Sequence, residues 1–397
     1  SAWELDLFEQ PGRKRVFQQP TSPPKAFLGP TAMCYAGIEQ PEVNEDARGR
    51  SSRAVAADPE TRQPIVCAEP RRPAPLVAGA ARVGLPAGAC GGHHRRHAHP
   101  GAGRHLRHLD LLRSELDGPV HSRLAEIAAA LTGPQRIPAE RELLLHLPTC
   151  FAAFAGLPPD DRARIRCVLG LLIEGMQADL RAFPGEDARA LAALDTRADL
   201  DRYTYYAAGC VGEFWTEMAM AHRPACRGWD PDAMRRRGAR FGQALQMTNV
   251  LRDLAQDLRA GRCYVPRTDL ASVGLTPADL LQPTAMARLR PLMDDLLASA
   301  LDGYHDAWEY TRAIPRGEIR LRLACAWPLL IGLRTLERIR RADDLLDPGV
   351  TVKIPRAAVY QILVRSGMTA WSNTGLDGHY RALRLPLTGV AARGARE

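Results

Sequence analysis

The stretch Phe241-Gly-Gln-Ala-Leu-Gln-Met-Thr-Asn-Val-Leu-Arg-Asp-Leu-Ala-Gln-Asp257, followed three residues later by Gly261-Arg-Cys-Tyr-Val-Pro266, decides how this chain is read. At 3.6 residues per turn Gln246, Asn249, Asp253 and Asp257 succeed one another at spacings of three, four and four, so they share one face of a helix expected over residues 232–259. Leu245, Met247, Val250, Leu251, Leu254 and Leu258 occupy most of the remaining circumference. The helix is therefore expected to be largely buried, with its polar stripe turned toward something other than bulk water. Two buried carboxylates one turn apart repel each other, and they stay protonated, pair with a cation or hold a divalent metal. On the carboxylates alone, a solvated face with Asp253 and Asp257 paired to Arg252 or Arg259 is an equally good account, because this spacing is common on helices.

Outward from this stretch the chain reads as helices. Apolar residues recur at helical spacing over residues 106–116, 140–147, 160–182, 200–221, 286–313, 318–340 and 355–365. Pro231 stands where the organising helix starts, and Pro328 is expected to kink or break the penultimate helix. No alternating strand pattern of useful length and no internal repeat occur. The fold expected is all-α, a single helical bundle over residues 106–366, preceded by an irregular region over residues 1–105 and followed by a tail over residues 367–397.

The string Gln-x-x-Asn-x-x-Arg-Asp-x-x-x-Asp from Gln246, with Arg262, Tyr264 and Pro266 after it, resembles the second aspartate-rich motif of the squalene and phytoene synthases. Upstream, Asp201-Arg-Tyr-Thr-Tyr-Tyr-Ala-Ala-Gly-Cys-Val-Gly212 is similar to that family's tyrosine and Ala-Gly-x-Val-Gly signature, and Glu174-Gly-Met-Gln-Ala-Asp179 is also similar to it. Two long motifs in the family's order carry far more weight than either carboxylate pair. The resemblance covers about residues 106–366 and implies an isoprenoid synthase bundle with a central cavity. It implies head-to-head joining of two prenyl diphosphates, farnesyl or geranylgeranyl, through a cyclopropyl intermediate, in isoprenoid, sterol, hopanoid or carotenoid synthesis. That intermediate is then either reduced with NADPH to squalene or deprotonated to a phytoene-type triene.

The chemistry begins by ionising an allylic diphosphate, which needs metal ions and cationic side chains on the leaving group. Mg²⁺ takes oxygen ligands from one or two carboxylates and from substrate phosphates. By the resemblance, Asp253 and Asp257 are the metal ligands, and Gln246, Asn249, Arg252, Arg262 and Tyr264 bind substrate. Tyr203 and Tyr206 lie three apart on one helical face with Tyr205 turned away. Taken alone they are core tyrosines with local hydrogen bonds; beside the small residues that follow, the resemblance gives a tyrosine the task of shielding the cation or assisting diphosphate departure. Tyr206 is the first choice and Tyr203 the second. His305-Asp306 receives no role, because neighbours on a helix point apart.

The 397 residues are 46% hydrophobic, enough to bury a core, and contain no apolar run long enough to span a membrane. The first residues carry acids where a signal peptide needs bases, so a cytoplasmic location is expected. The nine cysteines are scattered, with no C-x-x-C pair, which reads as reduced thiols. A net charge of +8 comes almost wholly from arginine spread along the chain, without aromatic interleaving, so no nucleic-acid partner is expected. Anionic diphosphates or peripheral contact with a membrane surface account for that charge equally well.

Residues 61–105 lack Lys, Asp, Asn, Ser, Met and every aromatic residue, yet hold Gly91-Gly-His-His-Arg-Arg-His-Ala-His99. Three readings stand: a disordered arm, a His-rich metal tract, or a segment, about residues 55–105, translated out of frame. Synonymous codons for residues 82–100 read one base later yield a D-x-x-x-D helix like the family's first aspartate-rich motif. As written, only Glu60 and Glu69 are acidic between Asp58 and Asp110. The rival to an enzyme is therefore a catalytically inactive helical relative acting as a scaffold or assembly factor.

Overall fold

The computed structural model describes residues 100–118, 123–133 and 138–388. Of the irregular region expected over residues 1–105 and the segment read as out of frame over about residues 55–105, the part as far as residue 99 lies outside the described residues, as does the histidine cluster. Residues 100–105, expected to be irregular, are helical: the first described helix begins at Pro100, six residues earlier than the pattern suggested. Among the described residues fourteen α-helices run in order: α1 Pro100–Asp117, α2 Leu124–Thr132, α3 Pro138–Leu145, α4 Leu147–Ala155, α5 Pro159–Ala182, α6 Arg197–Thr204, α7 Cys210–His222, α8 Pro231–Arg252, α9 Leu254–Arg259, α10 Arg267–Ser272, α11 Met286–Ala313, α12 Ile319–Arg341, α13 Arg356–Thr369 and α14 Asn373–Thr388. Two residues each of β1 (Ala192–Ala193) and β2 (Arg262–Cys263) pair in parallel. The fold is all-α, and among the described residues no helix is long and apolar enough to cross a membrane.

The organising helix α8 lies at the centre, against α7, α11 and α12. Leu245, Val250 and Leu251 join Leu289, Leu296, Leu329 and Leu333 in the main core. A second apolar cluster, with Leu109, Leu116, Phe154, Ile165 and Ile173, ties α1, α4 and α5 to α7. Helix α8 approaches its neighbour so closely that a Cβ on Gly242 would meet the Ala208 carbonyl oxygen at 2.1 Å, and one on Gly212 the Gly238 carbonyl oxygen at 1.8 Å. The small residues of the Ala-Ala-Gly-Cys-Val-Gly string thus form a backbone crossing. The six described cysteines are free thiols.

The structure departs from the sequence reading at several places. The expected helix over residues 232–259 is interrupted at Asp253, whose φ of −97° and ψ of 9° separate α8 from α9. The bonds Asp253 N to Asn249 O and Asp257 N to Asp253 O, both 2.9 Å, keep the register, so the polar face survives the break. Pro328 stays inside a continuous α12. Its lost hydrogen bond, about 3 kcal/mol in an exposed helix, is offset by the packing of buried Leu329, Leu330 and Leu333 beside it. The expected helix over residues 200–221 contains a π turn, Tyr205–Gly209. The helical body also runs past residue 366: α14 lays Leu376, Tyr380, Leu383 and Leu387 into the main core, an apolar face that the Gly- and Arg-rich composition of the segment concealed.

Candidate active site

The end of α8, the end of α5 and the short strand β2 converge on a partly buried polar cluster. Asp253, at the junction of α8 and α9, accepts two bonds from Arg252, Nε to Oδ1 at 2.9 Å and Nη2 to Oδ2 at 2.6 Å. One turn on, Asp257 is pushed up to about 8, chiefly by burial and then by the charge of Asp253, with Arg262 opposing. Its carboxyl group therefore favours a proton, or an added cation, at neutral pH.

Beyond α9, Gly261 takes a φ of +79°, a left-handed turn that glycine adopts without the clash a Cβ would meet. The chain then runs extended beside β1, held by Ala192 N to Gly261 O at 3.0 Å and Leu194 N to Cys263 O at 3.1 Å. Alternation along the strand puts Arg262 and Tyr264 on one side and Cys263 in the core on the other. Both reach Asp179 of α5: the Tyr264 hydroxyl donates to Oδ1 at 2.9 Å, and Arg262 Nη1 lies 3.1 Å from Oδ2. Asp179 is only 7% exposed. Burial raises its pKa despite the opposing pull of Arg262 and Tyr264.

Tyr203, near the end of α6, stacks on Tyr264 with ring centroids 4.2 Å apart and planes at 27°. Gln246 Nε2 donates to the Tyr203 hydroxyl at 3.1 Å, and Asn249 Nδ2 donates to Gln246 Oε1 at 3.2 Å. Burial, then the charge of Asp179, holds the Tyr203 phenol above its ordinary range, so it stays neutral at any physiological pH. Eight of the nine site residues read from the sequence therefore lie in this cluster or its immediate continuation: Tyr203, Gln246, Asn249, Arg252, Asp253, Asp257, Arg262 and Tyr264.

Tyr206 makes a different contact. Its hydroxyl donates to Glu174 Oε1 on α5 at 2.8 Å, and that bond, more than burial, raises its pKa. Tyr205 donates to Glu213 at 2.9 Å. The π turn begins between Tyr203 and Tyr206, so the simple face-sharing expected of a regular helix does not describe the pair. Asp179 and Glu174, in turn, were absent from the site expected from sequence. Both sit in the quoted Glu174-Gly-Met-Gln-Ala-Asp179 string; for Asp179 a carboxylate on the buried side of α5 was the signal available, whereas Glu174 is exposed.

The donor set suits a hard divalent cation. Asp253 and Asp257 offer carboxylate oxygens one turn apart, and the anion of Asp257 lacks the close arginine pair that Asp253 has in Arg252. Among the described residues no group of three or more His, Cys, Asp or Glu side chains converges as a metal site. Mg²⁺ takes one or two carboxylates from a protein and completes its shell with water and substrate phosphate, and Asp253 and Asp257 are the carboxylates that would hold it.

An all-α bundle with a helix-borne Asp-x-x-x-Asp pair beside arginines and tyrosines is the architecture of an isoprenoid synthase. The sequence model of the squalene/phytoene synthase family matches residues 100–358. The chain belongs to that family. It is 31% identical over 217 residues to a bifunctional lycopene cyclase/phytoene synthase of Colletotrichum graminicola, covering 53% of this chain and 32% of that protein. It is 30% identical over 176 residues to phytoene synthase 3, chloroplastic, of Zea mays, covering 43% and 37%. The chain thus spans about a third of the length of these curated relatives. In fold it is similar to TcSQS, solved with the ligand BPH1237, at a TM-score of 0.54 and 20% identity, covering 74% of this chain and 82% of that one.

Proposed function

We propose that the chain joins two prenyl diphosphates head to head with release of diphosphate, in a Mg²⁺-dependent reaction of the squalene/phytoene synthase type. The observation that carries this is Asp257, one helical turn from Asp253, a carboxyl group that burial and the charge of Asp253 push up to about 8 against the opposing charges of Arg262 and Arg252. Such a group is costly as structure and useful as a site for added positive charge. Asp253 and Asp257 hold the metal, which supplies charge neutralisation to the departing diphosphate. Arg262 and Arg252 turn their guanidinium groups to its oxygens, and Arg262 is kept cationic because Asp179, Tyr264 and Asp257 together outweigh the effect of its burial. Tyr203 and Tyr264 present stacked faces, a surface that stabilises a neighbouring cation through the ring quadrupole without adding a base. Gln246, bonded to Tyr203 and Asn249, fixes the upper ring in place. Tyr206, paired with Glu174, acts as a second tyrosine near the diphosphate.

The product is squalene where NADPH supplies hydride and a phytoene-type triene where it does not. The test is incubation of the purified protein with farnesyl or geranylgeranyl diphosphate and Mg²⁺. Diphosphate release is expected; a folded protein that releases none from either substrate overturns the proposal. One observation favours the rival reading of an inactive relative: Asp253 and Asp179 already have arginine partners within the fold. Under that reading, neither substrate with Mg²⁺ raises the melting temperature.

A further inference from the structure

Helix α13 and the turn after it expose a row of large apolar side chains that the bundle does not cover. Tyr360, Val364 and Met368 succeed one another at every fourth position, and Trp371 continues the row just past the helix end. They are 46%, 60%, 59% and 58% exposed. The opposite side of the same helix buries Ile362 and Ser366, so α13 presents two sides for packing and, among the described residues, only one is covered by the bundle. Contiguous exposed apolar surface of this kind marks an interaction site.

Charge identifies the occupant. Around the helix, Arg356 and Arg365 flank the row on its two sides, and Lys353 stands just before the helix; all three are exposed. From residue 348 to residue 376 there is no Asp or Glu, so the face is purely cationic. A second copy of the chain docked on the same face would set like charges against each other. An acidic bilayer surface complements both features: the apolar row enters the acyl boundary, Tyr360 and Trp371 sit at headgroup depth, and the basic side chains meet lipid phosphates. Most of this face also lies beyond residue 358, where the family match ends.

We propose that α13 is a membrane-docking helix that seats the protein on anionic lipid. The proposal does not depend on the reading of the aspartate cluster. The test is flotation of the full chain with vesicles of phosphatidylcholine alone and of phosphatidylcholine with phosphatidylglycerol, at low and high salt. Binding is expected to the anionic vesicles, weakened by salt, with a vesicle-bound to free ratio about tenfold higher than with the neutral ones. The double substitution Val364→Asp with Met368→Asp, at sites exposed enough to leave folding intact, should abolish binding with an unchanged circular dichroism spectrum. Arg356→Gln with Arg365→Gln should weaken it about tenfold while removing no apolar surface. Failure of the full chain to bind anionic vesicles overturns the proposal and assigns the row to a protein partner or another part of the chain. Equal binding by the wild type and the Val364/Met368 variant overturns it too.

Discussion

Replacing Asp257 with Asn should make the protein more stable and less active, and the gain should depend on pH. In the folded protein the carboxyl group titrates near 8 against an ordinary 3.8. Between pH 4 and pH 7 the unfolded chain loses that proton while the folded protein keeps it, so native stability falls as pH rises through this window. At 1.36 kcal/mol per pH unit the cost at pH 7 has a ceiling of about 4 kcal/mol. Local relaxation and water entry reduce it, leaving an expected gain of about 1–2 kcal/mol for the neutral amide, a rise in melting temperature of roughly 2–6 °C. At pH 4 the native and substituted side chains are both uncharged, and the gain should vanish. Thermal unfolding of both proteins at pH 7 and pH 4 measures this directly, while diphosphate release should fall by orders of magnitude in the variant. A variant less stable than the parent at pH 7 would refute the reasoning, as would a gain of equal size at pH 4.

The neighbouring aspartate should behave in the opposite way. Asp253→Ala removes the bidentate partner of Arg252, so the same thermal scan should show a loss of about 1–3 kcal/mol along with the loss of turnover; unchanged stability would mean that the pair contributes nothing. Tyr264→Phe keeps the ring stack on Tyr203 but deletes the hydroxyl that donates to Asp179. Urea unfolding should register a loss of about 1–2 kcal/mol, because the buried carboxylate keeps only Arg262.

The polar stripe of α8 was legible because helical period alone sorts Gln246, Asn249, Asp253 and Asp257 onto one face, and a local break at Asp253 did not disturb that order. Arg262 and Tyr264 were legible only through the family string, since nothing local says that a strand of two residues will aim them at the same carboxylate. Asp179 escaped because its partners stand more than eighty residues away in sequence, and the turn that brings them back is set by one positive-φ glycine. The face expected to be shared by Tyr203 and Tyr206 did not carry over, because a π turn inserts an extra residue into one helical turn, a rotation that neither propensity nor periodicity reports. The break allowed for at Pro328 did not form, because burial on both sides of it outweighs a local preference.

The remaining asymmetry is in the acids. Joining two prenyl diphosphates calls for a metal cluster with carboxylates from opposing helices, more than the one or two that a single ion takes, and the described residues supply an Asp-x-x-x-Asp pair from one side only. Any opposing pair belongs before Asp110, where the sequence offers Glu60 and Glu69 in place of a motif. The family match also begins only at residue 100, where the anomalous composition is about to end. A compensated shift of reading frame over about residues 55–105 accounts for both facts at once, whereas a disordered arm accounts for the missing aromatic residues but not for the lost motif. Sequencing the gene across codons 50–110 should reveal two one-base changes that restore the D-x-x-x-D helix, and protein made from the restored frame should release diphosphate orders of magnitude faster than the present chain. If the frame is confirmed as written, this account is refuted, and the intact Asp253 and Asp257 are then the remnant of a site whose other half has been lost.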